Sequence, residues 1–368
     1  MSLKKIGILG CGAISKHYFE GIQAYDGFEI AGCADLREAS ARERAEEFNV
    51  PFRTISDLLA DPEIEVITNL TIPAAHAEVN LQALEAGKSV YCEKPFALTR
   101  EEGQKVLQLA EEKGLGLACA PDTILGEGHQ TARAIIDSGD LGKIVGGCVF
   151  MVSGGVDHWH RNPAFYYQPG GGPLFDMGPY YFTALVNLLG PVKAVHASTS
   201  RAFSERDTKH AGVVPVNVNT HYSGTLEFEN GALINAVFSF DSPGGARLPF
   251  VQIYGTSGTL DAPDPNLFDG ENHVRLARKS LADPLPEWQV VKRDFPHFGR
   301  RGLGPIDLAN AMRHNRPPRV SGQLAYHVLD TMIAFDESGA SQQWTPVHST
   351  CDRPTPVPET LPDRTWPE

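Results

Sequence analysis

Three short segments of the chain carry residue types and spacings that could do chemistry. The first is Gly10-Cys11-Gly12-Ala13-Ile14-Ser15. It follows the apolar run Lys5–Leu9 and opens a helical stretch. A G-x-G pair by itself is a weak signal, because glycine is common in turns. Between a strand and a helix it places phosphate against backbone N–H groups at the helix N-terminus. Asp35 closes the next apolar run, where a carboxylate can accept hydrogen bonds from an adenosine ribose. The alternative for Asp35 is a helix N-cap. These features point to a dinucleotide contacted by Gly10, Gly12, Ala13, Ile14, Asp35 and Arg37. Asp35 repels a 2′-phosphate and favours NAD, while Arg37 leaves NADP open. Ser15 stands at the third glycine position of the fingerprint and is small enough for close helix–strand packing.

The second segment is Glu93-Lys94-Pro95, directly after the apolar run Ser89–Cys92. Ligands sit outside the carboxyl ends of strands in open α/β sheets. A lysine there can reach the nicotinamide edge and stabilise alkoxide character on a reacting oxygen. The alternative is a solvated turn lysine. The third segment runs from Gly170 to Tyr181 and contains Asp176 and Tyr180, four residues apart. On a helix the two would project on one face and converge on one ligand. Asp176 would accept from a substrate hydroxyl and Tyr180 would transfer a proton. A free tyrosine has a pKa of about 10, so acting near neutral pH needs a nearby cation such as Lys94. The alternative is that Tyr180 and Tyr181 are core aromatics behind a glycine loop.

The elements that must position these residues alternate. Apolar runs at 5–9, 28–33, 66–70, 89–92 and 115–119 read as strands. Helical stretches at 13–25, 37–48, 75–86 and 99–113 separate them. Repeated β-then-α units with near-continuous apolar strands imply a parallel sheet covered on both faces. After Pro121 the pattern changes. A helix at 128–137, a strand at 144–152 and a helix at 180–189 precede an antiparallel region from about 192 to 260. Its strongest signal is alternation around Asn230-Gly231, a hairpin in which both turn positions want positive φ. Residues 261–301 read as loop, 306–313 and 323–338 as helices, and the proline-rich end from about Cys351 as a tail or strap over the surface. The expected organisation is a Rossmann dinucleotide-binding domain at 1–121 and an α+β substrate domain at 122–368. The fold class is thus α/β plus α+β, with an open, largely antiparallel sheet in the second part.

Composition limits the partners. The 368 residues carry a formal net charge of −13, which argues against nucleic acid or an anionic membrane as a main partner. There is no apolar run near the ~20 residues a membrane span needs, nor a basic start followed by an apolar signal region. The six cysteines include no C-x-x-C pair and read as reduced core residues of a cytoplasmic protein.

Taken in order, the glycine turn, Thr71-Ile72-Pro73-Ala74-Ala75-His76, the stretch from Ala86 through Glu93-Lys94-Pro95, and the Gly170–Tyr180 segment resemble the Gfo/Idh/MocA oxidoreductases. The resemblance covers almost the whole chain. It implies a Rossmann domain followed by a domain whose open sheet supports the active site on one face and oligomer contacts on the other. It implies that Lys94 contacts the reacting hydroxyl and the nicotinamide, and that Asp176 positions a sugar. Tyr180 falls where many members have a catalytic histidine. It is similar in this to glucose–fructose oxidoreductase and the dimeric dihydrodiol dehydrogenases, which weakens an inositol dehydrogenase reading. The Rossmann strand order would put Thr71, Pro73 and His76 beside the cofactor, unless His76 caps its helix. His158 and Trp159 would line the substrate pocket, with Trp159 stacked on a sugar ring. The H-x-H pair His158/His160 has no third ligand at metal spacing, so no metal is expected. Arg301 would reach the substrate or form a surface salt bridge.

The resulting expectation is hydride transfer between NAD, with NADP possible, and a sugar, polyol or related cyclic alcohol, in a cytoplasmic homodimer or homotetramer. Two alternatives remain at this point. One is glycosidic elimination through transient oxidation by a tightly held NAD. The other is a dinucleotide-binding regulator without catalysis.

Overall fold

The computed structural model describes residues 4–293, 295, 299–359 and 365–366. Parts of the expected 261–301 loop and of the C-terminal tail lie outside the described residues. The chain divides into two compact units, one comprising Met1–Glu127, Asp294–Leu329 and Pro354–Glu368, the other Gly128–Arg293 and Asp330–Arg353.

The first unit holds a five-stranded sheet among the described residues. Its strands are β1 (Lys4–Leu9), β2 (Phe28–Ala34), β3 (Ile64–Asn69), β4 (Ser89–Cys92) and β5 (Leu117–Cys119), in the order β2-β1-β3-β4-β5. Every neighbouring pair is parallel. Ile6, Ile8, Ile67, Val90 and Tyr91 are completely buried, as near-continuous apolar strands covered on two faces require. The intervening helices are α1 (Ser15–Gln23), α2 (Glu38–Phe48), α3 (Ile55–Ala60), α4 (His76–Glu85) and α5 (Arg100–Lys113). Helix α5 shows why local sequence defines its ends. Thr99 and Glu102 form a reciprocal capping box, and Gly114 closes it at φ +62°. Helix α3 has no counterpart in the sequence reading. Its six residues are too few for a periodic signal, and only the Thr54 cap, accepting from the Asp57 N–H, marks it. The strand order reverses between β1 and β3, so the turns after these strands flank the crevice where ligands bind in such sheets.

The proline-rich C-terminus is tied into this unit. Trp366 is buried; its Nε1 donates to Asp307 Oδ1 at 2.9 Å, and its ring meets Tyr25 edge-on. Asp307, on the helix Leu303–Arg313, also accepts from Arg316 Nη2 at 2.8 Å and the Arg319 N–H at 2.6 Å.

Among its described residues, the second unit contains helices α6 (Glu127–Asp137) and α7 (Gly172–Leu189) and a nine-stranded sheet. Those strands are β6 (Ile144–Val152), β7 (Val192–Ser200), β10 (His221–Phe228), β11 (Leu233–Ser239), β12 (Val251–Gly255), β13 (Gly258–Ala262), β14 (Asn272–Leu276), β15 (Gln289–Val291) and β16 (Thr345–Pro346), while β8 (Glu205–Thr208) and β9 (Gly212–Pro215) form a separate ribbon. Within the sheet β6 and β11 pair in parallel and the other neighbours antiparallel. Alternation sorts its faces. Leu226, Ile234, Ala236, Phe238 and Val149 are buried on one. The other carries the rows Ser223–Val237–Phe150 and Thr225–Asn235–Cys148–Gln252.

Two local expectations change here. The Asn230-Gly231 hairpin exists, but only Gly231 has a positive φ, +84°. The Gly231 N–H donates to Phe228 O and the Phe228 N–H to Ala232 O. The loop therefore has three residues, and the left-handed position is the glycine alone. Asn230 instead uses its side chain, accepting from the Ala232 N–H and donating to Leu189 O. Residues 261–301 are not loop throughout, since β14 and β15 extend the sheet edge there. Strands of five and three residues are too short to show period-two alternation. Among the described residues, no helix is long and apolar enough to cross a membrane.

Candidate active site

The glycine turn after β1 is shaped by two different needs. Gly10 has φ +98°, and a Cβ there would lie 2.6 Å from the Leu70 backbone. Only glycine fits that conformation and that approach. A Cβ on Gly12 would meet nothing within 4 Å; the space beside its backbone is open to a ligand. Ser15, buried at the start of α1, donates from Oγ to Gly12 O at 2.7 Å and accepts from Arg44 Nε at 3.2 Å. The residue in the third glycine position thus braces the turn.

Asp35 fixes the turn from the other side. Its Oδ2 accepts from the Cys11 N–H and its Oδ1 from the Arg37 N–H, both at 2.8 Å. The N-cap of α2 is Arg37, so the carboxylate orders two neighbouring turns and does not cap the helix. After β3, Asn69 Oδ1 accepts from both the N–H and Oγ1 of Thr71. Pro73 follows at the start of a short 3-10 turn. Two large apolar side chains are left uncovered on these turns, Leu36 at 92% and Ile72 at 69% exposure. Both suit the faces of a flat heteroaromatic ring.

The turn after β4 is held from beneath. Glu93 is buried; its Oε1 accepts from Tyr18 Oη at 2.8 Å and its Oε2 from the Lys94 N–H at 2.7 Å. Tyr18 and Tyr91 lie hydroxyl to hydroxyl at 3.3 Å. Burial, followed by the Glu93 charge, pushes the Tyr18 phenol well above its ordinary range; it is a fixed donor. Glu93, expected among the cofactor contacts, therefore turns its carboxylate inward, while the half-buried Lys94 follows it. Asp122, after β5, accepts from the Gly302 and Gly304 N–H groups at 3.0 Å each. Burial raises its carboxyl, partly offset by Arg301. Arg301, expected to reach substrate or a surface carboxylate, faces this buried acid.

His76 also departs from expectation. It is the first residue of α4 and only 1% exposed. Its Nδ1 lies 2.6 Å from Pro95 O and its Nε2 3.0 Å from Thr71 O. The ring neither caps its helix nor presents a free nitrogen to a ligand. Tyr18, Asn69, Asn80 and Asp122 escaped the sequence reading. Tyr18 alone left a trace: it shares a helix face with Ser15, Phe19 and Ile22, and a buried tyrosine usually finds a hydrogen-bond partner.

In the second unit, α7 begins at Gly172 with Pro173 next, eight residues earlier than the sequence suggested, because a glycine–proline start reads as loop. Asp176 and Tyr180 therefore do lie one turn apart on a continuous helix. Pro179 between them lacks the N–H that would bond the Phe175 carbonyl. Asp176 is half-buried and Tyr180 buried at 5% exposure. Tyr181, at 1%, packs edge-on against Phe238 in the core, and both tyrosines are buried, as the core-aromatic alternative expects. The loop after β6 is anchored by Arg206, whose guanidinium donates to Asp157 Oδ2 at 3.0 Å and to Asp241 Oδ1. Tyr167 donates to Asp157 Oδ1. On this loop His158 is exposed and Trp159 is 64% exposed, with its ring edge-on to His160. Among the described residues, no group of three His, Cys, Asp or Glu could hold a metal ion.

Comparison with known proteins decides the family. Residues 4–120 match the model of an oxidoreductase family with an NAD-binding Rossmann fold, and residues 129–261 match the GFO/IDH/MocA C-terminal domain. The chain belongs to the GFO/IDH/MocA oxidoreductases. Its Rossmann domain is the family's NAD-binding domain, and the open Gly12 backbone with the two uncovered apolar side chains fits that group. Among family relatives, a D-xylose 1-dehydrogenase (NADP(+)) of Haloferax volcanii is 29% identical over 90% of this chain and 96% of its own. The levoglucosan dehydrogenase of Pseudarthrobacter phenanthrenivorans is 26% identical over 84% and 86%. A levoglucosan dehydrogenase structure in complex with NADH and L-sorbose superposes with a TM-score of 0.79 at 23% identity, covering 95% of this chain and all of that one. An NAD binding oxidoreductase from Klebsiella pneumoniae gives 0.78 at 22% identity, covering 94% and 99%. These likenesses support the GFO/IDH/MocA fold along nearly the whole chain.

Proposed function

We propose that this GFO/IDH/MocA protein is a sugar or polyol dehydrogenase that prefers NAD. The observation that carries the reading is the Asp176/Tyr180 pair, one turn apart on α7 in a chain that also bears Lys94 at the carboxyl edge of the parallel sheet. A carboxylate beside a phenol suits a ligand with several adjacent hydroxyls. The dehydrogenase names of the xylose and levoglucosan relatives support the same class.

Nicotinamide, when bound, supplies a hydride acceptor or donor at its ring carbon C4. Gly12, Ala13 and Ile14 leave backbone N–H groups and the α1 N-terminus for the pyrophosphate, while Gly10, whose own N–H donates to Ala34 O at 2.9 Å, lets the turn pass close beneath it. Asp35, pinned by two backbone donors, keeps lone pairs for the adenosine ribose, and its charge opposes a 2′-phosphate. Thr71 and Pro73 border the same crevice. Lys94 holds positive charge against the reacting oxygen as it gains alkoxide character. Tyr180 moves the proton of that hydroxyl, Asp176 accepts from a neighbouring hydroxyl, and His158 and Trp159 contact the sugar ring. The apolar residues on the open sheet face, Leu233, Val237 and Phe150, pair copies of the chain as a homodimer or homotetramer; Val237→Lys would shift the protein to monomer on gel filtration.

Lys94→Ala tests the catalytic assignment. Turnover should fall roughly a hundredfold to a thousandfold with dinucleotide affinity little changed. Full activity of that variant on the same sugar would sink the assignment.

A further inference from the structure

The loop that joins β6 to α7 is exposed in its middle and buried at its roots. His158 and Trp159 stand out from it, while Asp157 and Tyr167 are buried. Between them, the His160 ring lies edge-on to Trp159, Phe165 and Tyr166, with centroids 5.4, 5.5 and 5.0 Å away. The stretch turns on itself: the Trp159 and His160 N–H groups donate to Val156 O, and the Tyr166 N–H to Pro163 O. An exposed turn of this kind opens readily unless something holds it. A ligand that met it open would bind more weakly, by the cost of ordering it.

The hold comes from the β8–β9 ribbon. Arg206, buried on β8, donates from Nη1 to Gly154 O at 3.2 Å and to Asp157 Oδ2 at 3.0 Å. Its Nη2 donates to Phe240 O at 2.8 Å and to Asp241 Oδ1. Phe240 and Asp241 directly follow β11, and Asp241 Oδ2 also accepts from Thr220 Oγ1 at 2.7 Å. One side of the guanidinium fork therefore rests on the sheet, and the other holds the first root of the loop. Asp157 carries the hold across to the second root, because its Oδ1 accepts from Tyr167 Oη. The second root is tied again by the Asn217 N–H, which donates to Tyr167 O at 2.8 Å, and by Gln168 Nε2, which donates to Pro215 O at 3.0 Å. Gly155, at φ +84°, lets the roots close together; a Cβ there would come 2.7 Å from Tyr167 Oη. Four acceptors in two directions suit the planar, five-donor guanidinium. A lysine ammonium has three donors on one atom and cannot span them.

We propose that Arg206 is a positioning residue for sugar binding: it presets the loop at 158–166, with the Trp159 ring, before the sugar arrives. It acts through Asp157 and Tyr167, not by contact with the ligand. A preset loop lowers the sugar KM and leaves the chemical step on α7 largely alone. This kinetic consequence rests on the reading of His158 and Trp159 above, but the anchoring of the loop does not.

The test compares the full-length protein with two variants. Arg206→Lys keeps the charge and loses the fork. Arg206→Met/Asp157→Asn/Asp241→Asn removes the fork and both carboxylates, so no buried charge is stranded. Amide hydrogen exchange, read by mass spectrometry, should quicken at least about tenfold across 154–168 in both variants, with α7 and the sheet strands unchanged. The sugar KM should rise roughly tenfold to a hundredfold, with kcat and the dinucleotide KM changed much less. Unchanged exchange in the loop would overturn the anchoring. Exchange that quickens equally throughout the unit would reduce Arg206 to a folding role and overturn the proposal. A wild-type sugar KM in both variants, or a loss confined to kcat, would overturn the positioning role. Loop exchange as expected, in a protein that turns over no sugar, would defeat only the functional reading.

Discussion

The carboxyl edge of the parallel sheet and helix α7 solve the same problem in different ways. At the sheet edge, residues far apart in sequence (Gly10, Asp35, Thr71, Lys94) reach one border because five parallel strands end there. Each turn is then fixed by a side chain bonded to backbone: Asp35 to Cys11 and Arg37, Asn69 to Thr71, Glu93 to Lys94. On α7, Asp176 and Tyr180 lie one turn apart on a single helix, so the local sequence sets their spacing. At the edge, the groups proposed to face a ligand and the groups that shape the turns are therefore entangled. On the helix, the spacing of the proposed pair is set within one turn of local sequence.

That contrast can be broken by substitution. Tyr180→Phe should remove the proposed proton-transfer group, lowering kcat roughly a hundredfold to ten-thousandfold. A raised KM at full kcat would instead make Tyr180 a binding group.

Asp307→Asn sharpens the contrast from the structural side. Burial alone would raise this carboxyl, but Arg319 and Arg316 outweigh it and hold it below its ordinary value. Removing one partner of such a buried cluster costs about 3–5 kcal/mol, to be read in denaturant melts. A depressed folded pKa means that the stabilisation is complete above the unfolded value of about 3.9. It is lost as pH falls through the lower folded value. Wild-type stability should thus gain nothing from this group on going from pH 6 to about pH 8, and should lose its contribution only in acid.

Asp35→Ala should do two things at once, as entanglement demands. The KM for NAD should rise roughly tenfold to a hundredfold, the worth of a charge-assisted hydrogen bond, with a smaller change for NADP. The melting temperature should also fall, because the Cys11 and Arg37 N–H groups lose their acceptor. A pure cofactor effect with no loss of stability would contradict the described bonding. Asp176→Asn should be the mildest, raising the sugar KM about tenfold.

The same contrast explains what could be read from the sequence. Strand–turn–helix order, the glycine pair, Glu93-Lys94-Pro95 and the four-residue spacing of Asp176 and Tyr180 are local patterns, and each appears where the pattern placed it. The inward turn of Glu93 and of His76 is not local. Glu93 meets Tyr18 from a helix 75 residues away, and His76 meets the Pro95 carbonyl from a different turn. No spacing rule encodes those meetings, so both residues read as ligand contacts. The start of α7 was hidden by a glycine and a proline that ordinarily mark loops, and β14 and β15 by their length.

We propose that this chain turns over a sugar or polyol with a nicotinamide cofactor. The most direct measurement is a panel of sugars and polyols, including D-xylose and levoglucosan, incubated with NAD or NADP while the absorbance of the reduced cofactor is followed. Steady reduction is expected with at least one member of the panel, faster with NAD than with NADP. Tight dinucleotide binding with no turnover on any member, in either direction, would contradict it.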